Sequence, residues 1–401
     1  MSYSAEIPYG CYWSTPFVRW QGSFSHLHAM EFAAHVAKQE LAKRTLAPEI
    51  FDFAVMGISV PQTHSFFGTP WIMSMLGAPL VTGQTISQAC ATGVRSVLAS
   101  AQEIESGLAS VALAITCDRL SNGPHSYYPN PNGPGGTGES ENWVMDNFND
   151  PIAGHSMMVT AENVARELNL DTARQHDLVL HRQEQYEAAV ANDSAFLRRF
   201  MTLPFDVPSA NFKKVIKSLD GDEGVTRSTA EGLARLKPVL PGGTLTFGCQ
   251  THPADANAAI IVAAPGRARE LSKDPRIAVK LRGFGMARVE LAYMPKAPAP
   301  AARQALAQAG ISIDKVDVIK LHNPFTANDF AFAAETGVDV RGINNYGSSL
   351  LWGHPQSPMA IRGIIEVIEE LAIRGGGIGM FAGCAAGDSA MAVVIEVCDA
   401  R

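Results

Sequence analysis

Short runs of apolar residues alternate along this chain with longer segments in which apolar positions recur every three or four residues. Residues 51–60 (FDFAVMGISV) read as a buried strand. Residues 91–106 follow as a small-residue helix with Val94, Val97, Leu98 and Ile104 in core positions, and Gly107 is placed to end it. A strand over 110–116 (SVALAIT) closes the unit. The layout returns in the second half. There a strand lies in VDVIKLHNPF (316–325) and a helix over 359–372, carrying Ile361, Ile364, Ile365, Val367, Ile368 and Leu371. Glycines 375–377 stop that helix, and a strand over 378–382 leads to Cys384. From Asp52 to Cys90 is 38 residues and from Asp317 to His354 is 37. Each copy thus brings one reactive side chain to a strand–helix junction. Strands alternating with helices imply α/β layers, and the paired spacing implies two similar domains in tandem.

The region 121–241 breaks the pattern. It opens with SNGPHSYYPNPNGPGGTGES, a loop composition, and continues with helical segments over 158–167 and 172–189. Long loops in compact domains often cover a site, so this region reads as a lid or cofactor-binding excursion; residues 125–142 alone fit a flexible surface insert equally well. The expected division is an N-terminal domain of 1–120 with about 242–270, the excursion of 121–241, and a C-terminal domain of 271–401.

Composition narrows the function classes. With 401 residues the chain exceeds what one core serves, roughly 250–300 residues. Hydrophobic residues at 46% and charged residues at 18% suit a globular protein. A net charge of -7 without a basic run gives no nucleic-acid footprint. No apolar run is long enough for membrane insertion. The six cysteines form no C-x-x-C pair, and the start MSYSAEIPYG lacks a signal-peptide pattern. Reduced thiols in a cytoplasm are expected, and no metal site is expected.

Four residues carry candidate chemistry. Cys90, in QACATGVRS, stands at a helix start, where amides and the helix dipole lower a thiol pKa. Small neighbours would let a substrate approach; a buried core cysteine is the plain alternative. His354, in WGHPQSP, is held at a turn by its glycine and proline neighbours and could take a thiol proton, or could be a structural cap. Cys384, in FAGCAAGDSA, could exchange a proton with a carbanion-like carbon, or be a small buried hydrophobe. His322, in LHNPF, could hold a water or donate to an oxyanion, with Asn323 as an alternative donor and strand-end packing as the plain reading.

Taken in order along the chain, these pieces resemble the thiolase family. STPFVRWQGSF resembles its opening segment and QACATG its nucleophile motif. CDRLSNGP, MVTAENVARELNL and the run DEGVTRSTAEGLARLKPVL to GTLTFGCQTHPADANAA follow in the family's order. LHNPF stands where the family has N-E-A-F or, in sterol-carrier-protein-type members, H-D-x-F. NNYGSSLLWGHP and FAGCAAGDSAMAVVIE complete the match over almost the whole chain. The resemblance implies a thiolase fold and a ping-pong acyl transfer between acyl-CoA and CoA. CoA would be a co-substrate, with no permanently bound cofactor. It makes Cys90 the acyl-accepting nucleophile and His354 its base. Cys384 becomes the acid/base at carbon, and His322 the residue that positions a water in a second oxyanion site. A homodimer or homotetramer is implied, with a small partner subunit left open.

The departures fall on positions that face CoA and the acyl group. GHPQSP lacks the glycine that usually follows H-P-x. Thr251 stands at the place of a CoA-contacting serine. Ser156, followed by Met157, takes the place of a histidine, with His155 beside it. An arginine that stacks near the adenine in some members falls on Val225, with Arg227 close by. An unusual acyl group is expected, branched, aromatic or dicarboxylic. Two rivals are a ketosynthase-like condensing enzyme, which His322 and His354 could imitate, and a non-catalytic acyl-CoA-binding or scaffold member.

Overall fold

In a computed structural model of the chain, residues 3–121, 123–133 and 136–400 are described; Asn122, Pro134 and Gly135 of the glycine- and proline-rich stretch lie outside them. The first half runs β1 (Glu6–Pro8), α1 (Ala29–Lys43), β2 (Phe53–Gly57), α2 (Gly68–Leu76), β3 (Thr82–Ile86), α3 (Thr92–Glu105) and β4 (Val111–Arg119). The excursion then supplies α4 (Met157–Glu167) and α5 (Thr172–Ser194), the latter leaving helical geometry at Ala191, Asn192 and Asp193. The chain returns as β5 (Ala254–Ala263). The second half runs β6 (Ile277–Arg288), α6 (Pro298–Ala309), β7 (Val318–His322), α7 (Thr326–Thr336), α8 (Ser357–Arg374), β8 (Gly377–Ala385) and β9 (Ser389–Asp399).

The spatial order is β7-β8-β9-β6-β1-β5-β4-β2-β3, with β1 joining the halves. Two short strands, Tyr12–Ser14 and Val18–Arg19, pair along β5 beyond β1. The halves share a topology. In each, the second strand is parallel to the fourth and the fourth antiparallel to the last (β2, β4 and β5; β7, β8 and β9). Among the described residues the second half has no regular third strand. Asn344 stands in for it, its N–H donating to the Ile319 carbonyl at 2.9 Å while its Oδ1 accepts from Leu321 N–H at 2.7 Å.

α3 and α8 pack against each other between the two halves. α8 is buried from Ser357 to Ala372, which explains its apolar residues on every face. Gly93 allows the close approach: a Cβ there would sit 2.7 Å from the Ser357 carbonyl oxygen and 2.9 Å from the Ala360 Cβ. This contact brings the starts of α3 and α8, and hence the Cys90 and His354 turns, to one place. β8 reaches further than the sequence pattern indicates and carries Cys384 within it, because Cys384 stays in register with Ala390 of β9.

One part of the excursion is anchored to the second half through Asp222. Asp222 receives both terminal nitrogens of Arg362 at 2.6 and 2.9 Å, and both side chains are fully buried. Phe17 N–H and the Tyr186 hydroxyl also donate to Asp222, and Arg362 lies over the Trp352 ring at 4.4 Å. Removing Asp222 leaves Arg362 only Glu366, which Lys320 shares, and so a net buried positive charge. Asp222→Ala is therefore expected to lower unfolding free energy by about 3–5 kcal/mol in urea titrations; a loss below about 1 kcal/mol would mean that water relieves the arginine there. No helix among the described residues is long and apolar enough to cross a membrane.

Candidate active site

Cys90 sits in a tight turn between β3 and α3. Ala89 adopts a left-handed φ of 45°, a conformation that costs a non-glycine residue about 1–3 kcal/mol and persists only where neighbours enforce it. Here Thr92 enforces it: its hydroxyl donates to the Ala89 carbonyl at 2.6 Å and accepts from Gln88 N–H at 2.7 Å. The turn presents a half-buried Cys90 thiol toward the second half.

His354 comes from the loop before α8. Gly353 holds φ 97°, and a Cβ on it would lie 2.8 Å from the His252 ring; His354 N–H donates to the His252 carbonyl at 2.8 Å. The His354 Nε2 is 3.0 Å from Cys90 Sγ. Gln356, two residues on, accepts from Cys90 Sγ at 3.3 Å through Oε1. Sequence reasoning missed Gln356, whose only local sign is the absence of the usual glycine beside it.

Asp118, near the end of β4, ties the loop after β2 to the start of α8. One oxygen accepts from Ser59 and Val60 N–H at 2.8 Å each, the other from Ser357 N–H at 2.9 Å and its hydroxyl at 2.6 Å. Burial pushes the Asp118 carboxyl up to about 6 against the pull of those donors.

Cys384 is fully buried and accepts from Asn328 Nδ2 at 3.3 Å. His322, 1% exposed at the end of β7, places its ring 4.4 Å from that of His354. One ring nitrogen from each histidine and the Cys90 sulfur lie within 4.8 Å of one another. Among the described residues this is the grouping with metal-ligand spacing. The 3.0 Å contact from Cys90 to His354 is a hydrogen-bond distance, shorter than the roughly 3.5 Å that bond lengths of about 2.3 and 2.0 Å give at a tetrahedral zinc.

The site opens into a cavity of about 520 Å³ walled by Cys90, His354, Cys384, Gln356, Thr251, Ser156 and Met157, among others. The rest of the wall is mainly apolar and includes Trp143, Phe148, Met158, Phe247, Met294 and Phe325, and among the described residues no charged side chain lines it. Trp143 comes directly after the hairpin His125–Tyr128 and Glu139–Asn142 and Phe148 five residues later, so this part of the excursion contributes to the wall. Thr251 donates its hydroxyl to the Ser349 carbonyl. Arg227 is not in the wall; it makes an exposed ion pair with Glu187 at 3.1 Å.

Electrostatics change one expectation. The helix start is expected to lower the Cys90 thiol, yet burial pushes it up to about 12, with the Asp118 charge adding to the rise; backbone N–H groups of Ala386 and Cys90 pull the other way. Burial lowers His354 to about 3. His322 is driven well down by burial and by His354, and Cys384 well up by burial and by Cys90. Thiol and imidazole are therefore both neutral at rest. A thiolate arises only when the proton passes to His354 across the 3.0 Å Sγ–Nε2 contact, because each charge then compensates the other away from water.

Models for the thiolase N-terminal and C-terminal domains match residues 13–265 and 275–397. An acetyl-CoA acetyltransferase of Chromobacterium violaceum is 27% identical over 380 residues, covering 94% of this chain and 95% of that protein. One from Escherichia coli (strain K12) is 26% identical over 382 residues, with the same coverage. Among solved structures, human mitochondrial 3-ketoacyl-CoA thiolase in complex with CoA and the Bacillus anthracis acetyl-CoA acetyltransferase each superpose with a TM-score of 0.89 at 24% identity over 99% of both chains.

Proposed function

The chain belongs to the thiolase family, and from that premise we propose how its site performs the reaction. The protein is an acyl-CoA C-acyltransferase that cleaves a 3-oxoacyl-CoA with free CoA, or runs the reverse Claisen condensation. The reaction uses coenzyme A as co-substrate and calls for no resident cofactor.

His354 takes the thiol proton as Cys90 attacks the 3-oxo carbon. The C2–C3 bond then breaks, its electron pair passes into the enolate of the departing acyl-CoA, and Cys384 returns a proton to that carbon. The shorter acyl group stays on Cys90 until CoA thiol attacks and releases it. His322 serves the second oxyanion site. The observation that carries this reading is the 3.0 Å approach of His354 Nε2 to Cys90 Sγ beside a cavity that Cys384 also walls. The grouping of Cys90 with two histidines also suits the ketosynthase-like rival; the Asn328–Cys384 contact, which supplies a second thiol, favours cleavage and condensation on CoA thioesters.

We read the retained acyl group as uncharged and bulky, branched or aromatic. A dicarboxylic group finds no cation among the described residues of the wall, and a buried carboxylate without a partner is strongly disfavoured. Thr251, Ser156 and Met157 would face the CoA arm or the acyl group. Intact-protein mass after mixing with a panel of 3-oxoacyl-CoAs tests both statements. A Cys90-dependent adduct supports the reaction and its mass names the acyl group; best turnover of acetoacetyl-CoA would remove the bulky-acyl reading.

We also propose a homodimer joined at β3. This strand ends the sheet order, and its sequence neighbourhood carries Phe66 at 95% and Leu80 at 97% exposure. An open edge with exposed apolar neighbours favours pairing with another strand. Sedimentation velocity is expected to show a dimer at micromolar concentration; a single 42.8 kDa species would end this proposal.

A further inference from the structure

We propose that Ser349 is a positioning residue that holds the proton of neutral His322 on Nε2, so that this ring presents a hydrogen-bond donor to the reacting centre. The proposal rests on the reading of Cys90 and His354 given above, and goes beyond it by naming the group that sets the His322 tautomer.

The observation is a polar chain running from the excursion to the site, with every member buried. Arg182 of α5 donates to Asp329 Oδ1 at 2.7 Å, and both side chains are fully buried. Asp329 Oδ2 accepts from Asn323 Nδ2 at 2.9 Å. A carboxylate paired with arginine only accepts, so the Asn323 amide must turn its NH2 toward Asp329 and its Oδ1 toward Ser349. That Oδ1 receives Leu350 N–H at 3.2 Å. The Ser349 oxygen accepts Asn323 N–H at 3.1 Å.

The Ser349 proton then has two possible acceptors, Asn323 Oδ1 at 3.1 Å and His322 Nδ1 at 2.7 Å. Hydroxyl donors to oxygen cluster near about 2.7–2.8 Å, whereas N–H donors to oxygen cluster near about 2.9–3.0 Å and reach about 2.7 Å only at their short limit. The 2.7 Å contact fits a hydroxyl donating to Nδ1, and Asn323 Oδ1 already has a donor in Leu350. With Nδ1 accepting, the imidazole proton resides on Nε2. That nitrogen is buried and has no partner among the described residues. A buried donor left unpaired costs about 1–3 kcal/mol. Such a cost is sustained where a ligand supplies the missing acceptor, and the nearby groups are Cys90 and His354. The developing oxygen of the substrate is the acceptor this donor fits.

The test uses the full-length enzyme. Histidine side chains are labelled with 15N, and His322 is assigned by the signal lost in His322→Gln. The expected wild-type spectrum shows Nε2–H. Ser349→Ala is expected to add the Nδ1–H form and to lower kcat roughly ten- to hundredfold, less than the roughly 10²–10³-fold loss on removing an oxyanion donor outright, while KM moves much less. Ser349→Thr, which keeps the hydroxyl, is expected to restore both spectrum and kcat. A wild-type Nδ1–H spectrum overturns the proposal, as does a folded Ser349→Ala enzyme with wild-type kcat and spectrum. Where Ser349→Ala fails to fold, the wild-type spectrum alone decides. Failure of the underlying reading looks different: Cys90 then takes up no acyl group, whatever the His322 spectrum shows.

Discussion

Cys90→Ala is expected to abolish the acyl adduct and to lower CoA-dependent cleavage by on the order of 10⁵–10⁶-fold, the scale seen when a nucleophile acting in one unit with its base is removed. The whole reaction passes through a bond to this sulfur, and no other group near it is placed to substitute. Cys384, the nearest alternative, is fully buried with its thiol pushed well up, and it is engaged by Asn328. Fold should survive. The variant removes one sulfur from a half-buried turn whose geometry depends on Thr92 and Ala89, so the thermal midpoint is expected to stay close to wild type. The checks are intact mass and turnover side by side. Persistent acylation in Cys90→Ala, mapped to Cys384, would exchange the roles of the two thiols.

The second large effect is expected from His354→Ala, with a loss of roughly 10²–10⁴-fold, the usual range for a general base, and a changed pH dependence. In the wild type the thiol lies near 12 and the imidazole near 3. Between those values the pair holds a single shared proton, so the acylation rate should be flat with pH across the neutral range. Without His354 the thiolate must form by free ionisation of a half-buried thiol held near 12, and the rate should climb steadily as pH rises. Rapid-quench acylation at several pH values distinguishes the two; a flat profile in His354→Ala would show that another base serves Cys90.

His354 also links stability to acid. Its folded value, about 3, lies below its ordinary value of 6.5. Within that window the unfolded chain binds more protons than the native one, so stability rises with pH and is lost as pH falls. His354→Ala should therefore be less acid-sensitive than the wild type over that range.

Much of the fold was legible. The apolar runs at 51–60, 110–116 and 316–325 became β2, β4 and β7 in core positions, and the 359–372 pattern became α8, extended by two residues at each end. These readings worked because strand and helix periods are local properties of the chain. Other features had no local signal. The second half replaces its third strand with one asparagine, Asn344, and Cys384 lies inside β8 because of its pairing with β9.

For the site, sequence alone determined the candidates: Cys90, His354, Cys384 and His322 each stand in a motif that could mark them. Tertiary structure alone decided what surrounds them. Asp118 meets Ser357 across 239 residues of chain, and Arg182 meets Asp329 across 147. Arg227, close in sequence to a CoA-facing position, lies on an exposed ion pair outside the cavity wall. The reason is physical. Which atom a residue offers depends on local order, whereas where its proton resides depends on burial and on partners the chain brings from far away. The Cys90 thiol shows this most directly: a helix start favours the thiolate, and only the packed interior, by excluding water, makes the neutral thiol prevail.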